Sequence, residues 1–383
     1  LTKNPNFYGV SGTGNAALSD HLSELVENTI TELEESKCVA VEDDVDLQAL
    51  NLGMVAAYYY IHYTTTELFA SSITERTKVR GAAEILCAAS EFSELPLRQG
   101  EEKQLRHLQH ALPHRLPDSA SKALVLLSAH FSRLTLPAEL AADLRTMLRD
   151  TVKLVQALVD VVASQAWLKP ALAAMELGQM AVQGMWDKDS PLLQIPHFDA
   201  DTVVRCQAAG AESVFDVLEM EDDVRETALQ LSAAQMSDVA LFCNAYPNIE
   251  CSYETDLRAG NSAPAGSTVT LSVALQRDLD EEDEEEVAAA GKVVSSRFPG
   301  EKTESWWLVL GDKATNALLC IKRVSLSVAG RYKLQFTAPE VEGSHALTLY
   351  LMSDSYLGCD QEYSLDVTVT QAEMEESSSE DEN

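Results

Sequence analysis

Two sets of side chains have types and spacings that suggest chemistry. His107, His110 and His114 stand three and four residues apart, the interval that sets imidazoles on one helix face to hold a metal ion. Pro113 ends that helix before His114, and the segment "RHLQHALPHR" carries its own arginines, so a metal site is disfavoured. In "PAELAADLRTMLRDTVKLVQALVDVVASQAW", Arg145, Arg149 and Lys153 stand at i, i+4 and i+8, and Gln156 continues the line. Leu140, Leu144, Met147, Leu148, Val155, Leu158, Val159 and Val162 make the packed side of the same helix. A basic stripe beside an apolar one is what a nucleic-acid channel presents, and a solvated helix face looks the same. Asp150 and Asp160 flank the stripe and weaken its field, so the residues by themselves favour the solvated face.

Catalytic constellations are thin. No G-x-x-x-x-G-K-[ST] loop occurs, because Gly291-Lys292 has Glu286 where the first glycine should stand. There is no G-x-S-x-G elbow and no H-E-x-x-H pair. Paired carboxylates abound, as they must in a chain with 61 acidic residues, and so carry no information about acid–base work. The three tyrosines of "LGMVAAYYYIHYTT" offer a stacking platform in principle. On a helix, though, Tyr58, Tyr59 and Tyr60 point about 100° apart and share no face. Leu52, Val55, Ala56, Tyr59 and Tyr63 follow one side and Met54, Ala57, Tyr58 and Ile61 most of the other, so this helix reads as core, apolar nearly all round.

The 383 residues leave room for two or three domains at about 100 to 200 residues each. The formal charge of −33 repels a phosphate backbone unless a local basic patch intervenes. Nothing approaches the roughly 18 uninterrupted apolar residues of a membrane span, and the first residues lack a signal-peptide pattern. These features point to a soluble, intracellular chain, and the start at Leu1 without methionine suggests a piece of a larger protein. The seven cysteines include no C-x-x-C pair and read as reduced, mostly buried thiols.

The elements fall into three regions. Residues 1–190 are helical in period and read as a bundle of six or seven helices. Leu22, Leu25, Val26, Thr29, Ile30 and Leu33 repeat at helix interval, Thr64 and Glu67 have the form of a capping box, and Pro137 and Pro170 suit first helical turns. A β-prone run at 38–41 is expected to interrupt the early helices. Residues 191–247 read as a helix–loop–helix domain, with Gly210 placed as a C-terminal cap and Ser232 as an N-cap. Arg205 and Arg225 are its only basic residues, which favours packing over nucleic-acid contact. Across 248–370 the period is two, as in Val269, Leu271, Val273 and Leu275, in Leu347, Leu349 and Leu351, and in Leu365, Val367 and Val369. About seven short strands suggest an antiparallel sandwich of immunoglobulin or fibronectin type III kind, without its disulfide. The acidic run "DLDEEDEEE" at 278–286 reads as a solvated loop and 371–383 as an acidic disordered tail, whose Ser377 to Ser379 resemble sites of acid-directed kinases. Trp306 and Trp307 point to opposite faces of one strand, so one of the pair is expected to be exposed and open to a protein partner. The fold class expected is multidomain α plus β.

Taken together, "LTKNPNFYGV", "LSDHLSELVENTITELEESKC", "LGMVAAYYYIHYTT", "ALAAMELGQMAVQGMWDKDSPLLQIPHF" and "YLMSDSYLGCDQEYSLDV" resemble, in order and along nearly the whole chain, the Sec sixty-three homology unit. That unit follows each helicase cassette in the large DExH helicases of the spliceosome and their relatives. The wording "MSDSYLGCDQEY" with an acidic tail close behind looks most like the C-terminal cassette. The resemblance implies a helical bundle, a helix–loop–helix domain and an immunoglobulin-like domain, in that order. It also implies that the helix with Arg145, Arg149, Lys153 and Gln156 is the family's ratchet helix, which faces the nucleic-acid path in active cassettes. For a C-terminal unit it implies a catalytically silent, nuclear protein-interaction module that modulates the active cassette and binds no cofactor. Its implied partners are spliceosomal proteins, the large U-five scaffold protein among the candidates, and the parent's own helicase cassettes. Two other readings stay open: a nucleic-acid guide built on the basic stripe, and the same unit from a cointegrator-complex helicase or a translocon-associated protein.

Overall fold

The structure, a computed structural model, describes residues 1, 3–10, 14–43, 46–279 and 290–371. The acidic run at 278–286 falls outside the described residues apart from Asp278 and Leu279, as does the tail beyond Gln371. Among the described residues the chain forms twelve α-helices and ten strands, a mixed α and β architecture.

Helix α1 (Asn15–Glu35) leads into an antiparallel hairpin of β1 (Val39–Glu42) and β2 (Asp46–Ala49). The β-prone run at 38–41 is thus a real strand. Helices α2 (Asn51–Tyr59), α3 (Tyr63–Ser72), α4 (Val79–Leu86), α5 (Glu101–Ala111) and α6 (Lys122–Phe131) then gather around two long ones, α7 (Ala138–Ser164) and α8 (Leu168–Gln183). Pro137 stands just before α7 and Pro170 in the first turn of α8, where neither removes a helical hydrogen bond. The expected capping box at Thr64 does not form, because α3 begins two residues earlier with His62 as its cap and Thr64 Oγ1 shares a hydrogen bond with Ser90 Oγ at 2.7 Å.

The three tyrosines correct the core reading. Helix α2 stops at Tyr59, and Tyr60 turns left-handed at φ 52°. Tyr59 is half-buried, whereas Tyr58 is 72% and Tyr60 93% exposed, and Met54 is exposed as well. The helix is apolar on both sides but is covered on one only.

Between the bundle and the sheets lie α9 (Ala200–Ala208), α10 (Val214–Glu219), α11 (Asp222–Leu229) and α12 (Ala233–Ala245). Their starts are fixed by caps: Asp199 accepts from Thr202 N at 2.8 Å, and Ser213 with Asp216 and Ser232 with Gln235 form capping boxes. Gly210 follows α9 at φ +92°. Arg205 donates to Ala228 O at 2.7 Å and Arg225 to Leu218 O at 3.0 Å, so both cations are spent on carbonyls at the ends of neighbouring helices.

Strands β3 (Ile249–Thr255), β5 (Thr268–Arg277) and β8 (Ala329–Thr337) make one sheet. The second, in the order β4-β10-β9-β6-β7, contains β4 (Ser262–Pro264), β6 (Trp306–Asp312), β7 (Ala317–Val324), β9 (Gly343–Ser353) and β10 (Gln361–Thr370). The residues picked out by the period of two face one another across a shared core: Val269, Leu271, Val273 and Leu275 from the first sheet, Leu347, Leu349, Leu351, Leu365, Val367 and Val369 from the second. Trp306, Leu308 and Leu310 join this core, while Trp307, Val309, Tyr350 and Met352 point the other way into the core of the helices. The two tryptophans do face opposite sides, but neither is open: Trp306 is 0% and Trp307 2% exposed. The expectation of an exposed tryptophan fails because α8 covers the back of the sheet.

The corner between β9 and β10, "SDSYLGCD", ties these layers together. Gln179 of α8 donates to Ser353 O at 2.8 Å and to Asp360, and Gln183 donates to Ser355 O at 2.8 Å. Gln194 and Tyr246 both donate to Leu357 O at 2.7 Å, bringing in the middle helices. Lys302 pairs with Asp354 at 2.7 Å. Gly358 closes the turn at φ +81°, where a Cβ would lie 3.0 Å from Pro191.

Candidate functional site on the long helix

Helix α7 spans 27 residues, about 40 Å at 1.5 Å per residue. Leu140, Leu144, Met147, Leu148, Val155, Leu158, Val159 and Val162 are all buried, so the packed side is as the spacing dictates. On the outer side Arg145 and Arg149 are exposed and, among the described residues, make no ion pair or hydrogen bond. Lys153 is partly exposed and pairs with Asp150 at 2.9 Å, and Gln156 is half-buried. The stripe is therefore a single line that grades from free cations to a neutral, half-covered amide.

Its far end is closed by a cluster that sequence spacing does not reveal. Tyr59 donates to Asp160 Oδ2 at 2.6 Å, and Arg323 of β7 donates to Tyr59 at 3.3 Å and to Tyr58 at 3.2 Å while lying 5.8 Å from the Tyr59 ring centroid. Burial, then the hydrogen bond to Asp160, pushes the Tyr59 hydroxyl up, and burial raises the Asp160 carboxyl. Asp160 thus offers its charge inward to Tyr59 rather than outward along the stripe. Arg323 is 264 residues away in sequence from Tyr59, and no local pattern announces it.

Beside Lys153 opens a cleft of about 750 Å³ between the N-terminal hairpin and helices α2 and α3. Leu33, Val39, Tyr60, His62, Tyr63 and Lys153 contribute to its walls. Tyr60 was a candidate for the interior on sequence grounds and is instead an exposed ring at the mouth of this cleft. The signal that marks it is the break between α2 and α3 at residues 60–62, where the helical run ends.

The three histidines are separated by the fold. His107 and His110 lie exposed on α5, whereas His114 packs edge-on against Trp186 with ring centroids 5.0 Å apart. Among the described residues no group of three metal-ligating side chains gathers, and no helix is long and apolar enough to cross a membrane.

With this arrangement in view, residues 49–366 match the model of the Sec63 Brl domain. The chain belongs to the Sec63 Brl domain family. Residues 1–43, which hold α1 and β1, match the model of a winged helix-turn-helix domain. Among similar proteins, the U5 small nuclear ribonucleoprotein 200 kDa helicase of Homo sapiens is 49% identical over 99% of this chain and 17% of its own length. The protein of the same name from Drosophila melanogaster is 50% identical over 100% of this chain and 18% of its own. The activating signal cointegrator 1 complex subunit 3-like protein of Dictyostelium discoideum is 42% identical over 95% and 17%. The chain spans less than a fifth of the length of these relatives.

Proposed function

We propose that this chain is a non-catalytic Sec63 unit of a U5-type spliceosomal helicase, from its C-terminal cassette, acting in the nucleus as a protein-interaction platform that modulates the helicase. The reading rests above all on identity near one half along the whole chain to helicases of the U5 particle. Identity to the cointegrator-complex protein is lower, which favours the splicing machine over that sister assembly. The four segments 1–190, 191–247, 248–370 and 371–383 then serve as helical bundle, helix–loop–helix domain, immunoglobulin-like sandwich and acidic tail. Its partners are spliceosomal proteins and the parent's own helicase cassettes, and the chain by itself hydrolyses no ATP. Capture experiments from nuclear extract test this directly: splicing proteins retained at near-physiological salt support the platform, and a clean bead fraction removes it. An ATPase assay on the purified chain tests the catalytic half.

A second reading is favoured by one observation, the unpaired Arg145 and Arg149 on the outer face of α7. In it Arg145, Arg149, Lys153 and Gln156 touch a nucleic-acid backbone, with the exposed Tyr60 ring at the adjoining cleft available for stacking. Reversing Arg149 and Lys153 to Glu then lowers RNA crosslinking of the intact helicase and reduces the salt dependence of binding. Unchanged crosslinking leaves the stripe a solvated face.

A further inference from the structure

A groove of about 1060 Å³ opens where the turn between α3 and α4, the start of α8 and the turn between β6 and β7 meet. Val79, Leu172 and Ala173 line it, and Asn316 braces it, accepting from Lys169 N at 2.8 Å and donating to Glu75 O at 3.2 Å. Arg76, Lys78, Arg80, Lys169 and Lys188 stand around it, all exposed. Arg80 lies 5.7 Å from the Trp186 ring centroid and Arg76 lies 3.7 Å from Glu75, but the ammonium groups of Lys78, Lys169 and Lys188 have no partner among the described residues. Three unengaged lysines around one groove stand out where 28 basic residues face 61 acidic ones. The opposing carboxyls are Glu75, Glu176 and Asp187, and burial, reinforced by Asp187 and Asp360, pushes Glu176 up to about 7, so its charge is only partly present at neutral pH.

We propose that this groove takes the acidic segment 372–383, "AEMEESSSEDEN", of the same chain. That segment carries six carboxylates and no cation, complementary to the lysines. The place where the described chain ends brings it near. Strands β6 and β10 both run antiparallel to β9, so their ends point the same way, and Asp312, Leu347 and Leu365 lie in one row across them. From that row Gln371 is about 20 Å further along the strand direction and about 10 Å to the side, on strand rise and spacing. Asn316 follows Asp312 in the turn, so chain end and groove are about 20 Å apart, and twelve extended residues reach about 40 Å. The other acidic run leaves β5 after Arg277, whose guanidinium bonds Glu304 just ahead of the start of β6, at the opposite end of that strand. It is the tail that is placed for the groove. Phosphate on Ser377 to Ser379 adds about −1.5 to −2 charges each and tightens the contact.

Lysine acylation read by mass spectrometry compares the full chain with one lacking 372–383. Lys78, Lys169 and Lys188 are expected to react several-fold faster after truncation, with Lys103 on α5 as an unchanged reference. A labelled 372–383 peptide should bind the truncated chain, more weakly as salt rises, and lose that binding when all three lysines are changed to Glu, a variant whose thermal unfolding serves as the folding control. Tripeptide phosphorylation at Ser377 to Ser379 should lower the concentration needed. Equal lysine reactivity with and without the tail overturns the proposal, as does peptide binding indifferent to the triple variant. Protection by an unrelated acidic peptide but not by the chain's own tail assigns the groove to a partner protein, and that too overturns it.

Discussion

Helices α1 and α8 carry apolar residues at the same interval and end in opposite surroundings. Helix α1 buries none of its residues, and Leu22, Leu25 and Val26 on its apolar stripe are 45%, 53% and 55% exposed. Helix α8 leaves only Lys169, Leu172 and Glu176 out of its buried set. The difference is not in the helical signal, because both segments form the helices their periodicity dictates. It lies in what arrives from elsewhere: α8 has α7 on one side and β9 on the other, while among the described residues α1 meets chiefly its own hairpin. Apolar periodicity specifies an element and an orientation, but burial needs a partner that local sequence does not name.

The largest expected effect tests this contrast head-on. Leu177→Ala in α8 removes a fully buried side chain flanked by packed neighbours, and should cost about 2–5 kcal/mol of stability. Leu25→Ala in α1 should stay within about 0.5 kcal/mol. Urea unfolding of both variants measures it, and equal losses would show that α1 is as firmly packed as α8.

Next comes the polar side of α8. Gln179 is 2% exposed and satisfies both Ser353 O and Asp360. Gln179→Leu keeps the volume and strands those acceptors, at about 1–3 kcal/mol. An unfolding midpoint that does not move would mean the corner between β9 and β10 holds without its helix.

A third effect is a change of slope with pH. Glu176 is half-buried, and its carboxyl titrates near 7 in the folded chain against about 4.3 when unfolded. Between those values the folded state binds more protons, so this group makes stability fall as pH rises from about 4.3 to 7, with no further change above. His130 acts in the opposite sense. Burial lowers it to about 4, so the unfolded state binds more protons between about 4 and 6.5 and stability rises with pH there. Glu176→Gln removes the first slope and leaves the second, so the variant's melting temperature should climb more steeply than the parent's between pH 5 and 7. Parallel profiles would show that Glu176 is ordinary in the folded chain.

How much of this was legible follows the same line. Periods of two placed the inward residues of β5, β9 and β10, since each strand has one face on a shared core. The helix of the basic stripe and its packed side were legible from eight apolar positions and four polar ones. What failed were judgements about cover. One of Trp306 and Trp307 was expected to face a partner, yet both are buried, Trp306 between the sheets and Trp307 in the core of the helices. Tyr58 and Tyr60 were expected inside and stand outside, because α2 is covered on one side only. Arg323, which holds Tyr58 and Tyr59 beside the stripe, comes from a strand more than 260 residues away, beyond any local pattern. The helix start expected at Thr64 was misplaced by two residues, the ordinary uncertainty of helix starts.

The smallest global effect is expected at the joint between the two regions. Gly53 of α2 sits against the backbone where α1 turns into β1, and a Cβ there would lie 2.2 Å from Cys38 O. That carbonyl accepts from Leu50 N at 2.9 Å, so the contact fixes the base of the hairpin onto the start of α2. Gly53→Ala cannot be absorbed by a side-chain rotation, because the obstacle is backbone on both sides. The bundle beyond α2 buries no residue of α1 and meets it through an exposed hydrogen bond from Tyr63 to Glu32 at 3.1 Å. The substitution should therefore loosen residues 14–49 and leave the melting temperature of the remainder nearly unchanged. Hydrogen exchange resolves the two: faster exchange confined to α1 and the hairpin is the expected pattern. Faster exchange spreading through α7 and α8 would mean that the N-terminal piece stabilises the bundle after all, and the contrast between α1 and α8 would be one of exposure without being one of energy.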